Sequence, residues 1–216
     1  MSFYLSARGS LEQQINQKMV AVAESKIRHV EDFLDSIKGR TIDFSSDGYI
    51  RNMLDMIEPE ALLEQDAPIC LSEHLKNNKM PLDPGIVAII VLNREGMVVA
   101  STINSTISED FSDQNEYLQI TDNDIAILTH SPFLSVNLGI NVIEVAVPVT
   151  SMKSGEITGI IINAYNEELI NKITSNSKGM GNSGEIVIGV KNGDNIQFVN
   201  SPKYALDGAI PQNIYL

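Results

Sequence analysis

Positive charge is scarce in this chain. Of 216 residues only 15 are Lys or Arg, against 28 Asp or Glu, for a formal net charge of −13. Nucleic acid and anionic lipid both call for clustered Lys and Arg, so this composition argues against either as a partner. The acidity itself serves solubility. Cysteine is limited to Cys70. An internal disulfide is excluded, and no Cys or His cluster surrounds it to hold a metal. Within Pro68-Ile69-Cys70-Leu71 it reads as a small core residue. No apolar run approaches the ~18–20 residues that span a bilayer, and no signal peptide is legible. The apolar start Met1–Leu5 reads as a start just after a membrane segment, or as an ordinary cytosolic N-terminus.

Catalytic signatures are missing as well. There is no nucleophile elbow, P-loop, dinucleotide fingerprint or metal-ligand cluster. The three histidines, His29, His74 and His130, are scattered. No enzymatic activity, metal or cofactor is expected.

What is present is a 43% hydrophobic chain with 20% charged residues, enough for a real core. Its centre is Gly85–Thr102, GIVAIIVLNREGMVVAST. Two strands are expected, joined at Asn93-Arg94-Glu95-Gly96, where Gly96 supplies the positive φ of a tight turn. The first strand is apolar on both alternating sets, so both its faces are covered. The second begins apolar at Met97 and ends small and polar at Ala100-Ser101-Thr102. That polar end either meets a ligand or only closes the strand.

Upstream, Leu11, Ile15, Met19, Val22, Ile27, Val30, Leu34 and Ile37 recur at helical spacing. They predict one helix from about Ser10 to Ser45, started by a capping box at Ser10 and Gln13. The near-heptad stripe suits a partner helix, hence a homodimer, or packing on the chain's own sheet. Short helices are expected at Tyr49–Ile57, Glu60–Leu63 and Ser72–Asn78. Downstream, Ile103–Asp124 is a polar, acidic insert with a helix around Gln114–Ile120; so long a polar segment between strands is uncommon unless functional or disordered. Strands follow at Phe133–Val136, Asn141–Val149 and Glu156–Tyr165, then a helix at Glu167–Thr174. Ser175–Ser183 reads as a linker, and Asn192-Gly193 as the turn of a second hairpin. The fold class is α+β: a long N-terminal helix packed on an antiparallel, PAS-like sheet of about five strands, then part of a second smaller module. The expected divisions are residues 1–48, 49–174 and 175–216.

Several segments together resemble a known family. Gly96–Thr102, Asp113–Tyr117, Val147-Pro148-Val149, and Gly155 to Gly159 leading into Glu167-Glu168-Leu169 stand in the order of the Cache (PDC, PAS-like) sensor domains of bacterial and archaeal receptors. The segment GMGNSGEIVIGVKNGDNIQFVN is similar to the entry into the membrane-proximal module of a double Cache domain. The resemblance implies an extracytoplasmic small-molecule sensor outside the cytoplasmic membrane. Its output would be a histidine kinase or, alternatively, a chemotaxis signalling domain or diguanylate cyclase; a ligand-free dimerisation or spacer domain is the remaining reading. It also implies a pocket between sheet and insert, with Ser101, Asp113, Asn115, Tyr117 and His130 as ligand-binding residues, to which Asn163 and Tyr165 are added from the last strand. Each has another use: Asp113 as a helix cap, Tyr117 as a core aromatic, His130 as a loop histidine. Asn163 and Tyr165 share a face with Ile161, and a buried amide and phenol must find partners in protein or ligand. Glu144 is added to the pocket from the later strands as well; between apolar neighbours in VIEVAV it either points to solvent, the safer reading, or is a paired buried acid. The family's amino-acid-binding signature is broken: Asn115 stands at its Arg, Tyr117 at its Trp, Leu118 at its Tyr, and Ala164 near its late Asp. A free amino acid held in that way is not expected.

Overall fold

The computed structural model describes residues 2–57, 66–122, 126–129, 133–175, 180, 185–192, 195–198 and 213–215. The chain forms two compact units, Asp35–Glu167 and the combination of Met1–Leu34 with Glu168–Leu216.

The unit Asp35–Glu167 is built on one antiparallel sheet. In chain order its strands are β1 (Ile86–Asn93), β2 (Val98–Ser101), β3 (Leu128–Thr129), β4 (Phe133–Ser135), β5 (Ile140–Thr150) and β6 (Ile157–Asn166). They lie in the order β2-β1-β6-β5-β3, with β4 also paired to β5. The central strands are apolar on both alternating sets and are buried almost throughout, as such a pattern requires.

One face pairs Ile89 with Asn163 and Val145, and Val91 with Ile161 and Val147. The last turns of helix α1 (Ser2–Ser45), which bury Ile37, Thr41 and Phe44, meet this face through hydrogen bonds to Asn163 and Tyr165. Helix α2 (Gly48–Leu54) lies on it too, with Leu54 beside Gly159. Asp47 caps α2 by accepting from the amides of Tyr49 and Ile50, and accepts at 2.6 Å from Lys79 Nζ. Helix α3 (Asp66–His74) ends with His74 stacked on Tyr49, ring centroids 4.4 Å apart. The opposite face pairs Ile90 with Ile162 and Leu92 with Ile160, and carries Val98 and Ala146; Ile120 of helix α4 (Asn115–Asp122) seals that cluster.

The β1–β2 hairpin turns as expected. Gly96 has φ +86, and the Asn93 side chain accepts from the amides of Glu95 and Met97. A Cβ on Gly96 would also lie 2.7 Å from Ser112 Cα, so the position excludes larger residues twice over. Ser112 is that close because the insert doubles back along β2. Val98 N donates to Glu109 O, Ser108 N to Val98 O and Phe111 N to Gly96 O, each at 2.9 Å. Ser108 takes φ +72 to make that return.

Three expectations need correction. Helix α1 is already formed at Ser2, so Ser10 lies in its interior and caps nothing. Cys70 is exposed; α3 buries Pro68, Leu71 and Ser72 instead, which puts the cysteine on its outer side. Helix α3 also starts earlier than Ser72 and passes into a π turn at Leu75–Lys79. The proposed helix at Glu60–Leu63 lies outside the described residues, as does most of Ser175–Ser183.

In the other unit, helix α5 (Glu168–Ser175) buries Ile170 and Thr174, and Lys26 of α1 donates to Ile173 O at 2.6 Å. Strands β7 (Gly189–Asn192), β8 (Asn195–Phe198) and β9 (Asn213–Tyr215) form a three-stranded antiparallel sheet. Leu11, Ile15, Met19 and Ile27 on α1 stand half exposed or more.

Candidate functional site

A groove of about 510 Å³ opens on the sheet face that carries Ile90 and Ile162. Its floor is the apolar surface of β1 and β6: Ala88, Ile90, Ile162 and Ala164. One wall is the insert, contributing Ile103, Glu109, Phe111 and Gln114. The other is the Phe133–Leu138 segment, the β4 strand and its turn into β5. Ladder register explains why a hollow forms here. Ala88 pairs with Ala164, and Ala164 pairs with Glu144. Paired residues of an antiparallel ladder share a face, so two alanines lie side by side with a glutamate at the end of their row. The next row is Ile90, Ile162 and Ala146. Small side chains leave the depth, and Glu144 reaches over it, half buried.

Of the residues singled out from sequence, Glu144 lines this groove, while Ser101, Asp113, Tyr117, Asn163 and Tyr165 do not. Ser101 pairs with Ile90 at the edge strand and is fully buried. Its hydroxyl accepts from Thr106 Oγ1 and from Ile103 N, both at 2.9 Å. Asp113 is exposed just ahead of α4, and Asn115 supplies the first residue of that helix. Tyr117 packs against the cluster of Leu92 and Ile160, and its hydroxyl donates to Arg94 O at 2.8 Å. It lines a separate surface groove of about 380 Å³ with Asn93, Thr121 and Gly159. His130 lies outside the described residues. Asn163 and Tyr165 lie on the opposite face of the sheet, against α1. Asn163 Nδ2 donates to Thr41 Oγ1 at 3.1 Å, and the Tyr165 hydroxyl donates to Ile37 O at 3.2 Å. Burial pushes the Tyr165 phenol up, against the opposing pull of its hydrogen bonds to Thr41 and Asn163.

Glu144, which the sequence offered as a pocket residue with solvent as the safer reading, lines the groove. Flanking hydrophobics suggested solvent, yet the strand beside it presents alanine at the paired position, which makes room for a ligand-sized space. The adjacent small residues were the available signal. Among the described residues, no group of three or more His, Cys, Asp or Glu side chains is placed to hold a metal, and no helix is long and apolar enough to cross a membrane.

Solved structures share this architecture. The sensor domain of the Vibrio cholerae histidine kinase DctB superposes with TM-score 0.62 at 17% identity, over 77% of this chain and 61% of that one. The fold is that of a Cache sensor domain. The ligand-binding domain of the Campylobacter jejuni chemoreceptor Tlp3, solved with 4-methylisoleucine, matches at TM-score 0.58 and 14% identity, over 78% of this chain and 64% of that one. That of the Pseudomonas fluorescens chemoreceptor CtaA, solved with L-isoleucine, matches at 0.60 and 13%, over 92% and 73%. The chain thus spans less than two thirds of the DctB and Tlp3 domains. No family model and no curated protein matches the sequence. At these identities the likeness is one of Cache architecture alone.

Proposed function

We propose that this chain is the small-molecule-binding part of an extracytoplasmic sensor, and that it binds its ligand in the groove between sheet and insert. The observation that carries the reading is the groove itself. It is apolar-floored, set with a few polar groups, and within the ~300–1,000 Å³ of ordinary small-molecule sites. A ligand seated there touches β1, β6 and the insert together. On the other face of β6, Asn163 and Tyr165 hold α1, so a shift of that strand would be felt by the long helix. Ligand binding drives such a shift only by its difference in affinity between two states. The half-exposed stripe of Leu11, Ile15, Met19 and Ile27 suits a second copy of α1 and hence a homodimer.

The divisions fit this reading: residues 1–48 as the relay helix, 49–174 as the binding module, and 175–216 as linker and part of a second module. The domain itself performs no catalysis. A sensor histidine kinase is the output favoured here, by analogy with the DctB domain; the Tlp3 and CtaA domains favour a chemoreceptor as the second reading. A thermal-shift screen over small metabolites tests the binding role. Expected is a rise of several degrees for one chemical class, lost in Ala164→Leu, which fills the groove. No shift across a broad panel would favour a spacer domain instead.

A further inference from the structure

Resting on the binding role just proposed, we infer that the groove selects an uncharged ligand, an apolar body bearing a hydroxyl or an amide. Of the fifteen described lining residues ten are apolar. The floor rows, Ala88 beside Ala164 and Ile90 beside Ile162, offer no polar side chain. On the β4 side, Leu134 is 63% exposed and Val136 92%. Large aliphatic side chains left in water beside a hollow gain when a ligand covers them. Apart from the two glutamates, the hydrogen-bonding side chains of the lining are uncharged: Gln114 on the insert, Ser135 on β4 and Asn137 in the turn after it. Amides and hydroxyls both donate and accept, and so match the same groups on a ligand.

Charge on the ligand works against it. Both walls come from the stretch Glu95–Met152, which holds eight Asp or Glu and no Lys or Arg. A carboxylate or phosphate would leave water for an apolar floor with no Lys or Arg on either wall to receive it. An ammonium gains little more. Glu144 already holds an interaction within the protein. Glu109 is exposed on the insert, where solvent leaves an ion pair worth little. A free amino acid carries both costs, and an uncharged ligand carries neither.

The test compares matched sets by calorimetry and thermal shift. One set is 3-methylbutanol, 4-methylpentanamide, isoamylamine and 4-methylpentanoate; the other is 2-phenylethanol, 3-phenylpropanamide, phenethylamine and 3-phenylpropanoate. The alcohol or amide of a set is expected to bind, to raise the melting temperature, and to hold its affinity as salt is added. The amine and the acid of the same set should bind about tenfold more weakly or not at all. Leu134→Ser with Val136→Ser, at exposed positions where folding is not at stake, should weaken the neutral compound about threefold or more, with ligand-free melting unchanged. The inference is overturned if the acid or the amine binds as tightly as its neutral counterparts, if no neutral compound binds at millimolar concentration, or if the double variant keeps full affinity. A charged ligand found by the wider screen and lost in Ala164→Leu would sink the neutral class alone and leave the sensor role standing. Silence across the wider screen would strike the sensor role itself.

Discussion

Asn163 Nδ2 lies 3.1 Å from Thr41 Oγ1, and this hydrogen bond joins the middle strand of the sheet to the last turns of the long helix. Both residues are fully buried. Thr41→Val keeps the volume and removes the hydroxyl, leaving a buried amide short of a partner. A loss of about 1–3 kcal/mol is expected, read as a lower urea midpoint with unchanged slope. Asn163 Oδ1 has no partner in the structure, so the double variant Thr41→Val with Asn163→Leu should recover part of that loss. A double variant no better than Thr41→Val would show that the amide is not the source of the cost.

How far the sequence foretold this follows from the range over which each signal acts. The Asn93–Gly96 turn and the doubly apolar strand before it are local facts, and they were legible. That Asn163 and Tyr165 need partners was legible too. Thr41 as the partner was not, because it stands 122 residues away from Asn163. The two-residue strand β3 has too little pattern to announce itself. The groove is a property of ladder register, which sets Ala88 beside Ala164 and Ala164 beside Glu144; no single stretch of sequence contains that row. The stripe on α1 was legible as helix, while its start was masked by a capping pair that lies mid-helix.

Gly159 is fixed by close approach. A Cβ there would land on the carbonyl oxygen of Leu92 and come within 3.2 Å of the Leu54 side chain. Backbone inside a paired sheet cannot yield as a side chain can. Gly159→Ala should therefore destabilise by about 3 kcal/mol or more, measured by chemical unfolding. A variant within experimental error of the parent would mean that β1 and β6 separate more readily than their ladder implies.

Acid should lower the stability of this protein over two pH ranges. Burial lowers the His74 pKa, with Asp47 opposing and Lys79 reinforcing the shift. The unfolded chain therefore takes up that proton first, and stability declines as pH drops below about 6.5. The decline stops below the folded pKa. For Asp47, burial pushes the carboxyl up, but Lys79 and the amides of Ile50 and Tyr49 outweigh it and hold the carboxyl below its ordinary range. Its contribution is present above about pH 4 and is lost as pH falls through the lowered value. His74→Gln should flatten the upper range and Asp47→Asn the lower. Unfolding curves of the variants that keep the parent's pH slope would contradict the assignment.

Leu11 and Ile15 are half exposed or more on α1, so charging them costs the isolated chain little. Leu11→Glu with Ile15→Glu should convert a dimer into a monomer in sedimentation, with thermal unfolding of the monomer near that expected for the parent chain alone. An assembly state unaffected by the pair would remove α1 as the interface.

Ser108 invites one more substitution. Its φ of +72 lets the insert return along β2, where Ser108, Glu109 and Phe111 occupy hydrogen bonds that an outer strand would otherwise leave open. A β-branched residue resists that conformation, so Ser108→Val should loosen the return and raise light scattering on heating. The insert is thus more than a wall of the groove. By lying across the rim of β2 it occupies an edge that would otherwise be open to pairing with strands from other copies.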